Sequence, residues 1–127
     1  MKLLTKAIEN KMPKLYSTEG TPTDDKKIIC KFFNLGGSWS WYAVEGERQE
    51  DGDYIFFGLV DGHEKEWGYF SLRELESVRW MGMQGIERDV HFSPVKVRDC
   101  IGLNMRIGRV SNGYVDPAKV MMMKEDK

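Results

Sequence analysis

The chain has 127 residues, 41% of them hydrophobic and 12% aromatic, which is enough for one compact core and too little for two ordinary domains. Its 19 basic and 20 acidic residues leave a net charge of −1, so the molecule as a whole has no general attraction for nucleic acid or for an anionic membrane surface. No apolar run approaches the roughly 20 residues of a membrane span, and Leu3-Leu4 after Lys2 is too short for a signal-peptide core, so the expected location is cytoplasmic.

Thr5 is placed to cap a short helix over Lys6–Lys11, with Leu4, Ile8 and Met12 spaced to face a core and Pro13 as the stop. Residues 14–27 are polar and without period, and read as a surface connection where mobility is expected. Ile28–Phe33 reads as a strand, and Asn34–Ser38 as a glycine-bearing hairpin loop. Residues 39–72 then carry three antiparallel strands into a capped helix, and the rest of the chain is expected to pack around them. By alternation, Trp39, Trp41, Ala43 and Glu45 share one face of the first of these strands, and Ser40, Tyr42 and Val44 share the other. Tyr54–Val60 is apolar on both faces, as a central strand covered on both sides should be, and Trp67–Phe70 makes the third strand. Ser71 and Glu74 form a capping box for a helix over Leu72–Val78, whose apolar stripe holds Leu72 and Leu75. Trp41, Phe57, Leu59, Tyr69 and Leu75 are assigned to the core joining the strands to that helix.

Trp80–Gly85 has the character of a loop with an apolar side, and Ile86–Phe92 fits a further strand ended by Ser93-Pro94, with Val95–Asp99 continuing it after a kink. From Cys100 onward, imperfect alternation and the turn signal Ser111-Asn112-Gly113 indicate a terminal hairpin. Beyond it, Met121–Met123 offer adaptable packing and Lys124–Lys127 should fray. The fold class expected is α+β, a single domain built on an antiparallel β-meander of four to six strands, with a short N-terminal helix and a capped helix after the meander.

Chemistry-bearing residues are scattered. Cys30 and Cys100 have no metal-type spacing and make no disulfide framework, so both read as buried free thiols. An enzyme would draw on Glu45, Asp61, His63, Glu64, Glu66, Glu87, Asp89 and His91. Among these, Glu87, Asp89 and His91 would project from one face of a strand, where they could hold a divalent metal or share acid–base work. No paired helical histidines, phosphate-binding glycine loop, nucleophile elbow or cysteine-histidine pair accompanies them, and Glu87-Arg88-Asp89 reads more simply as a charged network fixing a loop. No catalytic residue, metal ligand or cofactor is therefore assigned.

Charge is unevenly spread. Residues 45–66 hold eight acidic against two basic residues, a net of −6, while residues 1–33 hold seven lysines against four acids, a net of +3. Solvation of two charged surfaces is the plainest account. The sharper one is an acidic rim of Glu47, Glu50, Asp51, Asp53, Asp61 and Glu64 offered to a basic protein partner, whose encounter long-range attraction would speed. The alternative is a single-stranded nucleic-acid module in which Trp39, Trp41 and Tyr42 stack on bases and Arg106 and Arg109 meet phosphate. Acidic neighbouring loops oppose that alternative, and core placement of the tryptophans is the simpler reading.

A set of motifs in a fixed order narrows the identity further. Leu3-Leu4-Thr5, Pro13 with Leu15-Tyr16 and Glu19-Gly20, Lys31-Phe32-Phe33, and the run from Trp39 to Glu45 come first. Phe57-Gly58-Leu59-Val60, the run from Gly68 to Leu72 with Glu74-Leu75, and Glu87-Arg88-Asp89 before Phe92 follow. Together they resemble the domain of unknown function 2958 family over roughly residues 3–95. The resemblance divides the chain into a family-like α+β domain over residues 1–99 and a C-terminal extension over residues 100–127, packed on the same domain. It carries over no catalytic residues. It implies genomic company, since the family travels on bacterial plasmids, conjugative elements and phages, often beside proteins that blunt host immunity. The expectation drawn from it is a non-enzymatic accessory protein that binds a host or element-encoded protein. An inhibitor of a nucleic-acid-targeting defence such as a CRISPR effector is the leading example.

Overall fold

A computed structural model describes residues 1–100 and the backbone of residues 111–112. Helix α1, Lys6–Lys11, begins where Thr5 Oγ1 accepts the Ile8 N–H at 3.3 Å. It ends at Met12, whose φ of −74° and ψ of 120° have left the helical region ahead of Pro13. Leu4 and Met12 are buried and Ile8 packs on them, as the spacing predicts. After an arch of turns over residues 14–26 come the strands β1 (Lys27–Ile28), β2 (Cys30–Asn34), β3 (Ser40–Arg48), β4 (Tyr54–Asp61) and β5 (Lys65–Ser71). Helix α2 (Leu72–Ser77) follows, then β6 (Arg79–Trp80), β7 (Met83–Gln84), β8 (Ile86–Arg88), β9 (Val95–Lys96) and, outside the first hundred residues, β10 (Ser111–Asn112).

The main sheet has the order β5-β4-β3-β2-β8, antiparallel throughout, with the two residues of β10 lying parallel along the outer edge of β5. The fold is therefore α+β and mostly antiparallel sheet, as expected. Several boundaries differ from the sequence reading. Residues 28–33 are not one strand, because Lys27–Ile28 pairs with β9 outside the main sheet while Cys30–Asn34 pairs with β3 and β8. Residues 86–92 are a strand only as far as Arg88. Beyond it, Asp89 Oδ1 accepts the His91 N–H at 3.0 Å and the Asp89 carbonyl accepts the Phe92 N–H at 3.2 Å, a local turn that competes with the ladder. The apolar loop at 80–85 is the hairpin β6–β7, whose corner residues Met81 (φ 53°) and Gly82 (φ 77°) both take the positive φ of a type I′ turn. Ser111–Asn112 pairs with the β5 edge, and Gly113 of the same turn signal lies outside the described residues. The rest of the terminal hairpin, Met121–Met123, and Arg106 and Arg109 lie outside the described residues.

Register explains how the sheet divides its side chains. Trp41 faces Val60 and Ala43 faces Gly58, but the next pair is Glu45 with Phe57, so Val44 is an extra residue in β3. Such a bulge shifts everything beyond it by one position, and because side chains alternate, it carries Glu45 onto the face of Tyr42, Leu59 and Phe57. This corrects the expectation that Glu45 shares a face with Trp39, Trp41 and Ala43. Two cores result. The larger holds Phe32, Trp39, Trp41, Phe56 and Phe70 under Leu3, Leu4, Leu72, Leu75 and Ile86. The smaller, on the opposite face, holds Ile28, Tyr42, Val44, Leu59, Trp67 and Val97, with Phe57, Phe92 and Cys100 against it. Trp41 and Leu75 thus meet as expected, but Phe57, Leu59 and Tyr69 point away from α2. The residue that faces it from the centre of β4 is Phe56, stacked 5.2 Å from Phe70 and edge-on to Phe32 at 5.3 Å. Beside it, Ala43, Gly58 and Gly68 pair across three strands, and a Cβ at Gly58 would fall 1.9 Å from the Tyr42 carbonyl oxygen. Glycine is required there by close approach of backbone to backbone.

Candidate functional site

The acidic residues form two groups rather than one rim. Glu47, Glu50 and Asp51 are exposed where β3 turns into β4, while Asp61 and Glu64 sit at the turn between β4 and β5. A strand of this length separates the two turns by roughly 24 Å, so the two groups do not act on one small surface. At the first turn, part of the charge is already met. Arg48 pairs with Glu9 at 2.6 Å and lies over the Tyr54 ring, and Arg73 approaches Asp51 at 3.7 Å. Asp53 serves the fold. Its carboxylate accepts from the Ser71 hydroxyl at 2.6 Å, the Arg73 N–H at 3.0 Å and the Tyr54 N–H at 2.7 Å. Ser71 Oγ in turn accepts the Glu74 N–H at 3.3 Å, so Asp53 and the N-cap of α2 form one network. Burial works to raise the Asp53 carboxyl, but these hydrogen bonds and the Arg73 charge together hold it below the usual carboxylate range.

The aromatic residues of the nucleic-acid reading are not at a surface. Trp39 and Trp41 lie in the larger core and Tyr42 in the smaller one, each under a tenth exposed, so no base can stack on them as the fold stands. Of the acid–base candidates, His63 packs edge-on against Trp39 at 5.5 Å, and Glu87, Asp89 and His91 are divided between a strand and a turn. Arg88, between them, binds the Leu3 and Lys2 carbonyls at 3.2 and 3.3 Å and so fastens the N-terminal segment to the sheet. Among the described residues, no three of His, Cys, Asp and Glu are placed to share a metal ion. Cys30 and Cys100 are both free thiols, and burial pushes Cys30 up to about 12, which makes it inert.

A cavity of about 260 Å³ lies elsewhere, between the 14–26 arch and the smaller-core face of the sheet. Glu45, carried to that face by the bulge and only 3% exposed, is its most buried carboxylate. Its carboxylate accepts the Tyr16 N–H at 2.8 Å, the Thr18 N–H at 3.1 Å and the Thr18 hydroxyl. Lys26 Nζ donates to Thr18 Oγ1 at 3.0 Å and to the Thr18 carbonyl, one step removed from the carboxylate. The segment read from sequence as a loose connection is thus fastened to the sheet by a buried charge. Tyr16 takes a φ of 69°, a strained conformation for a bulky residue, and its N–H is one of the groups held by Glu45. Beside Glu45 on the same sheet face runs an aromatic row, with Phe57 5.0 Å from Tyr69 and 5.8 Å from Trp67, and Tyr16 of the arch lies 6.2 Å from Tyr69. The Tyr69 hydroxyl is pushed up to about 12 by burial, by its hydrogen bond to Tyr16 and by the charges of Glu45 and Glu19. Thr21 and Thr23 complete the lining.

Sequence reading counted Glu45 in the acidic stretch 45–66 and among the acid–base candidates, and did not single out Tyr16, Glu19 or Lys26 as site residues. The available signal was a carboxylate directly after the apolar run Trp41–Val44, in the same strand, which a solvated rim does not explain. No curated protein and no solved structure matches the chain. The model of the family described as protein of unknown function, DUF2958, matches residues 3–100, and the chain belongs to that family.

Proposed function

We propose that the chain is a non-enzymatic accessory protein of a mobile genetic element, and that it binds a protein partner with a basic surface through the end of the β3–β4 hairpin. The observation that carries this reading is the joint exposure of Glu47, Glu50 and Asp51 at that end. Strand β3 pairs with β4 out to Arg48 and Tyr54, and β5 pairs with β4 out to Ile55, so the hairpin holds the carboxylates on a hydrogen-bonded support. Glu47 and Glu50 have no ion-pair partner among the described residues, which leaves their charge available to a partner. The partner class that accords with carriage on mobile DNA is a host nucleic-acid-targeting defence complex, such as a CRISPR effector. Asp53 belongs to the capping network, and Asp61 with Glu64 is too distant to share the contact.

Replacing Glu47, Glu50 and Asp51 together by lysine tests the proposal. Capture from host lysate identifies the partner, and association is then measured for the unaltered protein and the triple variant. The expected result is slower association of the variant, with the difference shrinking as salt passes ~0.15 M, where the screening length is about 8 Å. Single-stranded and duplex DNA serve as the counter-test. Tight DNA binding by the unaltered protein, made tighter by the reversal, would sink the proposal, because removing acid beside a phosphate-binding surface strengthens it.

A further inference from the structure

The cavity beneath the 14–26 arch has no part in the hairpin proposal, yet it combines features that select a ligand. Its lining holds two carboxylates, Glu19 and Glu45, against one ammonium, Lys26. All three donors to Glu45 are neutral, and the Lys26 ammonium is turned to Thr18, so the buried carboxylate has no direct counter-ion. A buried charge without a partner is costly and draws a counter-charge. Phe57, Trp67 and Tyr69 line the cavity beside Glu45 on the same sheet face, and aromatic rings attract cations.

We infer that this cavity binds a small organic cation, a primary amine or guanidinium on a short chain, seated against Glu45, Glu19 and the aromatic row. At about 260 Å³ the space is slightly below the range of roughly 300–1,000 Å³ typical of drug-sized ligands, so the occupant is small. The same chemistry is offered by a free metabolite-like amine and by the side chain of an arginine or lysine. Calorimetric titration of the full chain with butylamine and agmatine examines the first source, and titration with an acetylated, amidated Gly-Arg-Gly peptide the second. Butanol and butyrate are the neutral and anionic controls. Saturable binding of at least one cation, with neither control binding, is the expected result, and the better probe names the source. Glu19→Gln, an exposed change that spares the Glu45 network, should weaken that binding on the order of tenfold. Tyr69→Phe keeps the ring and should weaken it less than Tyr69→Leu, which removes the aromatic face. Failure of every cation to bind overturns the inference, as does equal binding of butanol or butyrate, or indifference to Glu19→Gln. The Glu47, Glu50 and Asp51 reversal leaves the cavity lining unchanged, so loss of partner binding and loss of amine binding are read separately.

Discussion

Phe56 is fully buried between Phe32 and Phe70, whereas its neighbour Phe57 is half-buried on the other face at the cavity wall. Truncating Phe56 to alanine should cost about 3–5 kcal/mol, from lost transfer energy plus the cavity left behind. The same change at Phe57 should cost only about 1–2 kcal/mol, because less apolar area leaves water there. Denaturant midpoints of the two variants check this, and a larger loss at Phe57 would show that the faces have been exchanged. Alternation marks both residues as apolar but cannot say which of them meets α2. That assignment depends on the pairing of β4 with β5, which sets Phe56 beside Phe70 and Phe57 beside Tyr69.

At the scale of elements, what was legible is what is local. Both helix starts rest on contacts within four residues, Thr5 to Ile8 and Ser71 to Glu74, and both were read correctly from spacing. The division of residues 28–33 between two sheets was not legible, because it depends on Val95 and Lys96, far along the chain. Nor was the arch, which is held by Glu45 some 27 to 29 positions away. The β4–α2 junction provides a pH test. The Asp53 carboxyl lies below its ordinary value in the folded state, so its contribution to stability is fully present above the unfolded pKa of about 3.9 and is lost as pH falls through the folded value. Asp53→Asn should therefore be less stable than the unaltered protein at pH 7, by about 1 kcal/mol on the usual worth of such hydrogen bonds. The gap should narrow as pH is lowered below about 4. Paired thermal melts between pH 3 and 7 measure it, and a constant gap would separate Asp53 from the cap.

For the molecule as a whole, the sheet is a wall between two cores, and one thiol and three phenols packed along it shift the same way. Burial pushes Tyr42, Tyr54 and Tyr69 up to about 12, and Cys30 likewise. Each of these groups binds its proton more tightly when folded. The stability they contribute is complete below the unfolded pKa and is lost as pH rises toward the folded one. Melting temperature should therefore hold steady from about pH 7 to 8 and fall progressively between about 9 and 12, first through the thiol and then through the phenols. A flat profile across that range would mean that these groups are open to solvent. The candidate site was the least legible part of the chain, because it joins a turn near residue 16, a lysine at 26, a strand residue at 45 and rings at 57, 67 and 69 that only the folded register assembles. The extra residue in β3 behaves like a frame shift in a message read two letters at a time. Taking Val44 out would restore the reading frame, exchange the inward and outward sense of residues 45–48, press a carboxylate against Phe56 and strip the cavity of its charge. In this strand the count of residues carries as much information as their identities.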